Sequence, residues 1–154
     1  MKKMYYAAYG LLMNKNYILQ FCRDIAYVGT GEIMGHKLIA RGYLTIVPQA
    51  RKKVPVVLYE INEKALESLD SFENYPKLYT RDIVKVKTAN GTVKAIAYKM
   101  KSERYEKGFY NVEQVVTQYV YHGLDTNYLV ETLSESNKGL IDGFVDEAKR
   151  SIGS

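Results

Sequence analysis

A chain of 154 residues, 47% hydrophobic and 25% charged, has the size of one domain and enough apolar side chain to build a core without covalent staples. Its single cysteine, Cys22, excludes an internal disulfide, and the apolar neighbour Phe21 makes it a buried thiol rather than a nucleophile, in a reducing, cytoplasmic setting. The net charge of +5 raises nucleic acid as a partner, but the basic residues are scattered and many of the 15 tyrosines fall in strand-like runs, where aromatic rings are good sheet formers; no nucleic-acid partner is expected.

The first residues have the charge of a weak signal peptide, yet Tyr5, Tyr6 and Tyr9 interrupt the apolar part and no small-residue cleavage site follows. Nothing approaches the roughly 18 apolar residues of a membrane span, so no membrane partner is expected. Residues 5–9 read as a first strand, ended by Gly10. A glycine there lets backbone N–H groups turn toward a ligand, although Tyr9-Gly10 alone signals only a turn. The apolar loop Leu11-Leu12-Met13-Asn14 leads to residues 17–23, whose spacing suits a short helix. Gly29-Thr30-Gly31 marks a break, and residues 32–40 are strand-like without clean alternation. His36 has no nearby cysteine or second histidine, so no metal is expected there.

Residues 43–47 are a short apolar run closed by Pro48, residues 49–53 a polar basic loop, and residues 54–61 the most hydrophobic strand, with Pro55 at its start or on an edge. Asn62 can cap a helix whose first turn carries Glu63. Ala65, Leu66, Leu69 and Phe72 recur at helical spacing and should face the core, leaving Glu60, Glu63, Glu67 and Asp70 as solvated charges. Glu73 differs. It follows the completed apolar face, where the helix must end before Pro76, and it sits in a turn among aromatic residues. A carboxyl in such a place can be desolvated and become a proton acceptor; the alternative is a solvated helix-end carboxylate.

Ile83, Val84 and Val86, then Val93, Ala95, Ile96 and Tyr98, define two strands joined at Asn90-Gly91 as a hairpin. Residues 100–108 are charged and should be exposed. A helix follows from Val112 to the stop at Gly123, and Asp125 or Thr126 caps another containing Tyr128, Leu129 and Leu133. Leu140, Ile141, Phe144, Val145, Ala148 and Ile152 fit a final amphipathic helix. The pattern describes one α+β domain over residues 1–154, with a largely antiparallel, barrel-like sheet and peripheral helices.

Taken in order, Ala8-Tyr9-Gly10, Gly29-Thr30-Gly31-Glu32, Thr45-Ile46-Val47-Pro48, Val54-Pro55-Val56-Val57-Leu58-Tyr59-Glu60-Ile61, Leu69-Asp70-Ser71-Phe72-Glu73, Tyr79-Thr80-Arg81, Ala97-Tyr98 and Gly123-Leu124-Asp125 resemble the pattern of the gamma-glutamylcyclotransferase family, over about residues 4–133. The resemblance implies an α+β fold: a mixed, largely antiparallel β-barrel with peripheral helices that opens into a pocket. It implies an enzyme that cyclises a γ-glutamyl group to 5-oxoproline and releases the attached amine. The partner is then a small γ-glutamyl substrate, with no metal or organic cofactor, and a homodimer is left open.

By the same resemblance the catalytic glutamate of a Leu-Asp-x-x-Glu-Gly motif falls on Glu73. The substrate cradle falls on Tyr9, Gly10, Leu11 and Leu12, beside Tyr6, and pocket tyrosines fall on Tyr79 and Tyr98. Four positions depart from the family. Its Ser-Asn after Tyr-Gly is Leu11-Leu12, its glycine after the glutamate is Asn74, and a further pocket tyrosine falls on Asn111, with Tyr110 as the neighbouring substitute. The leucines keep a second class open, a family member that binds a small amine, a peptide-like ligand or a protein without turnover.

Overall fold

Five strands of the computed structural model, which describes residues 3–101 and 112–136, close into a barrel in the order β1-β3-β2-β4-β5. They are β1 (Met4–Ala8), β2 (Ile25–Arg41), β3 (Tyr43–Ile61), β4 (Tyr79–Thr88) and β5 (Gly91–Met100). Every pairing is antiparallel except the closing one, where Tyr6 of β1 lies parallel to Ile96 of β5. Among the described residues a 3-10 turn (Leu11–Met13) and four helices surround the barrel: α1 (Lys15–Ile18), α2 (Glu63–Phe72), α3 (Val112–Tyr121) and α4 (Thr126–Ser136). This is the mixed, largely antiparallel α+β barrel that the sequence led us to expect. Among the described residues no helix is long and apolar enough to cross a membrane.

The burial pattern follows from which faces are covered. On β4, Val84 and Val86 are buried while Lys85 and Lys87 are exposed, the alternation of a strand with one wet face. On β3, residues 54–59 are buried without a break, because the outer face is covered too. There the Tyr59 hydroxyl donates to the carbonyls of Leu12 (2.9 Å) and Met13 (3.1 Å), fastening the 3-10 turn onto the barrel wall. Cys22 is buried as expected, its thiol facing the Ala65 carbonyl at 3.6 Å.

Several expectations need correction. Gly29-Thr30-Gly31 is no break but lies inside β2. Gly29 takes up a register shift, and Gly31 sits where β4 crosses so closely that a Cβ would lie 2.7 Å from Val86 Cγ1 and 2.8 Å from the Lys87 carbonyl oxygen. The first helix starts earlier, at Lys15, because the Asn14 side chain caps it by accepting the Tyr17 N–H at 3.2 Å. The basic segment 49–53 belongs to β3: pairing jumps from Met34↔Lys53 to His36↔Pro48, so the intervening residues bulge out, with Arg51 at φ 67°. The hairpin is present, but Thr88 pairs with Gly91, which makes Ala89-Asn90 the turn. Met100 ends β5 and is buried rather than exposed. After α3, Gly123 at φ 70° and the bond from Leu124 N–H to the Tyr119 carbonyl (2.8 Å) stop the helix. Asp125, not Thr126, then caps α4 through the Asn127 N–H at 3.0 Å. The charged stretch after residue 101 and the final helix through Ile152 fall outside the described residues.

The Gly31 contact gives a direct test of the β2–β4 crossing. Gly31→Ala must push β4 backbone aside, and overpacking of this kind costs about 1–3 kcal/mol. Denaturant unfolding is expected to show a loss in that range, whereas unchanged stability would contradict the crossing.

Candidate active site

The end of α2 places a carboxyl at the barrel mouth. Asn62 starts the helix, its side chain accepting the Ala65 N–H at 2.8 Å, and Ala65 and Leu69 anchor it to the core. Glu73 is the C-terminal cap, with its N–H bonded to the Leu69 carbonyl at 2.9 Å. Asn74 then adopts φ 53°, a left-handed conformation that asparagine tolerates. The Leu78 N–H returns to the Asn74 carbonyl (2.9 Å), and the Lys101 N–H reaches the Leu78 carbonyl (2.9 Å), stitching the loop to the end of β5.

Glu73 opens into a cavity of about 400 Å³. The structure brings together here Tyr6, Tyr9, Gly10, Leu11, Leu12, Glu73, Tyr79 and Tyr98, eight of the residues singled out in the sequence. Tyr110 and Asn111 lie outside the described residues. Tyr43, Leu44, Phe72, Asn74, Leu78 and Val115 complete the lining and were not foreseen. Phe72, expected to face the core, is 40% exposed and instead stacks on Phe21, centroids 4.8 Å apart and planes within 3°.

The electrostatics of Glu73 follow from what surrounds it. No lining residue among those described is Lys, Arg or His, and no hydrogen bond or ion pair to a described residue offsets the burial of the carboxyl. Desolvation therefore acts alone and pushes Glu73 from its ordinary 4.5 up to about 7. In turn, its carboxylate adds to burial in raising the phenols of Tyr6 and Tyr79, and adds a smaller effect to those of burial and Asp70 in raising Tyr98. It does the same for Tyr9, where Tyr79 is the larger of the two charge effects.

Three of these phenols are structural ties. Tyr9 donates to the Tyr98 carbonyl at 2.6 Å and Tyr79 to the Leu44 carbonyl at 2.7 Å. Tyr98 donates to Asp70 Oδ1 at 2.6 Å. Asp70 is thus not the solvated charge that its place on α2 suggested. Its other oxygen is ion-paired with Arg81, whose guanidinium lies over the Tyr75 ring, 4.4 Å from the centroid. Register carries the signal for this cluster, since Arg81 lies opposite Tyr98 across β4 and β5.

Comparisons with known proteins bear on both fold and sequence. A sequence profile described as "Gamma-glutamyl cyclotransferase, AIG2-like" matches residues 6–119. A solved structure named gamma-glutamyl cyclotransferase superposes with a TM-score of 0.72 at 19% identity, over 97% of this chain and 99% of that one. An uncharacterized protein from Homo sapiens gives 0.69 at 19% identity, again over 97% and 99%. YkqA from Bacillus subtilis gives 0.65 at 19% identity, over 100% of this chain and 55% of its own. At these identities the likeness establishes the fold. No curated protein shows significant sequence similarity to the chain.

A carboxyl that binds its proton more tightly folded than unfolded has a fixed sign in pH-dependent stability. Its ionisation costs nothing below about 4.5, progressively more up to about 7, and the full amount above. That difference corresponds to at most on the order of 3 kcal/mol. Glu73→Gln is therefore expected to melt several degrees above the parent at pH 8 and with it at pH 4. A variant no more stable than the parent at pH 8 would contradict the desolvated carboxyl.

Proposed function

The chain belongs to the gamma-glutamyl cyclotransferase, AIG2-like family, and from that premise we propose that it converts a γ-glutamyl amine or amino acid to 5-oxoproline and free amine, with Glu73 as the general acid and base. The observation that carries this reading is the Glu73 carboxyl at the cavity, uncompensated by any described cation and raised to about 7. A base of that strength is half ionised near neutral pH, where proton transfer in both directions is most effective.

The substrate's α-amine arrives as an ammonium ion, and the half-buried carboxylate both attracts that cation and removes one of its protons. The freed amine attacks the γ-carbonyl carbon of the same molecule, so folding the glutamyl chain in the cavity supplies orientation rather than a second reactant. Collapse of the tetrahedral intermediate breaks the old amide C–N bond as protonated Glu73 returns its proton to the departing amine, and the regenerated carboxylate takes the second proton from the ring nitrogen, which the released amine carries away as ammonium. Atoms balance without water.

In the wall of the same cavity, the 3-10 turn makes its first backbone bond from the Met13 N–H to the Gly10 carbonyl (3.0 Å), so the N–H groups of Leu11 and Leu12 precede it and are not used by the turn. In this reading they receive the substrate's carboxylate. The side chains of Leu11 and Leu12 contribute apolar wall and no hydrogen bond. That wall also favours a second reading, a family member that binds a small amine or peptide-like ligand without turnover.

A 5-oxoproline assay over a panel of γ-glutamyl amines and amino acids decides between them. We expect product from at least one compound and a loss in Glu73→Gln of about 10²- to 10⁴-fold. Because the base must be ionised in the free enzyme, kcat/KM should fall as pH drops through about 7. Folded protein that binds panel members but forms no 5-oxoproline would select the non-catalytic reading, and full activity in Glu73→Gln would remove the assigned base.

A further inference from the structure

Among the described residues five phenols line the cavity, those of Tyr6, Tyr9, Tyr43, Tyr79 and Tyr98, and each has one proton to donate. Tyr9, Tyr79 and Tyr98 have spent theirs on the Tyr98 carbonyl, the Leu44 carbonyl and the Asp70 carboxylate. The Tyr6 hydroxyl has no acceptor among the described residues. Nor is it sealed away, because the one side-chain polar atom found both sealed and unbonded among them is the Tyr119 hydroxyl. Tyr6 as a whole is only 4% exposed, and it lines the cavity.

Its ring is also fixed in place. Tyr6 stacks on Tyr59 (6.3 Å, 15°) and meets Tyr98 edge-on (5.9 Å, 70°). Its backbone is paired on both sides, with Tyr59 of β3 and Ile96 of β5. Tyr43 also lacks an acceptor among the described residues, but it is only half-buried and has no such pair of rings holding it. A rigid, desolvated donor with a free proton, lining the same cavity as the Glu73 carboxyl, is the arrangement that stabilises negative charge as it develops.

We propose that the Tyr6 hydroxyl donates a hydrogen bond to the γ-carbonyl oxygen of the substrate as that oxygen becomes an oxyanion, a role that rests on the cyclotransferase reading. When the amine nitrogen bonds to the γ-carbon, the carbonyl π pair moves onto oxygen. Tyr6 holds that charge without giving up its proton. The pair then reforms C=O as the amide nitrogen leaves with the proton carried by Glu73. Burial, and next the Glu73 carboxylate, keep the phenol pKa well above its ordinary value, so it stays a donor throughout.

Tyr6→Phe in the full chain tests this, because it deletes one oxygen that bonds nothing else described. We expect kcat to fall by about 10²- to 10³-fold, with KM within about threefold and the acid limb near pH 7 retained, because Glu73 is untouched. The melting temperature should stay within about 2 °C of the parent. A parental kcat would overturn the proposal while leaving the cyclotransferase reading intact, and a larger drop in melting temperature would overturn it by revealing a structural partner. Calorimetric titration with 5-oxoproline separates the two ideas when turnover is absent. If the parent binds it without turning over any substrate, the cyclotransferase reading fails; a loss of affinity of about fivefold or more in Tyr6→Phe then upholds the carbonyl contact, and equal affinity overturns it. If the parent neither turns over substrate nor binds 5-oxoproline, both fall.

Discussion

The Asp70 carboxylate is held from two strands at once, its Oδ1 accepting the Tyr98 hydroxyl from β5 at 2.6 Å and its Oδ2 paired with Arg81 from β4. This tie fastens the end of α2 to the barrel wall, three residues before Glu73. Its backbone takes part as well, since the Asp70 carbonyl accepts the Tyr75 N–H at 2.9 Å. Glu73 therefore stands on an anchored turn between two fastened points, Asp70 behind it and Leu78 ahead. The two carboxylates, one helical turn apart, are treated oppositely: Asp70 has a cation and a phenol, while Glu73 has neither among the described residues. A charge that the fold leaves uncompensated is costly, and natural proteins retain such groups chiefly where function needs them.

The walls of the cavity serve that imbalance. Bonding the Tyr79 and Tyr98 hydroxyls to protein acceptors lets these rings stand around a carboxyl without supplying it a proton. Tyr9 is committed likewise, and its bond to the Tyr98 carbonyl joins β1 to β5 near the parallel closure of the barrel. Leu11, Leu12, Leu78 and Val115 add apolar surface. Leu11 and Leu12 stand where the resemblance led to a Ser-Asn pair, and their side chains bring no hydrogen bond that would offset desolvation of Glu73.

Much of this was legible in the residues, for reasons that differ by element. The cap at Asn62, the anchors Ala65 and Leu69 and the terminus at Glu73 depend on helical periodicity and local capping, which a linear chain states directly. Asp70 was misread because a carboxylate on the polar side of an amphipathic helix looks the same whether water or a barrel wall lies beyond it. The hairpin hid its own register. A turn at Asn90-Gly91 would set Ile83 opposite Tyr98, whereas the observed pairing of Thr88 with Gly91 sets Arg81 there. That two-residue displacement is what builds the Arg81–Asp70–Tyr98 cluster. Gly29-Thr30-Gly31 looked like a break for a related reason: glycine marks close backbone approach as well as turns, and only the crossing of β4 distinguishes the two.

The account turns on the protonation of one side chain, which can be observed without any substrate. Carboxyl carbon NMR titration of the full chain, with the Glu73 resonance assigned by its loss in Glu73→Gln, reports that proton directly. The desolvated, uncompensated carboxyl predicts a midpoint at about 7. A midpoint near the ordinary 4.5 would show a solvated or compensated group and would contradict Glu73 as the base about which the cavity is built.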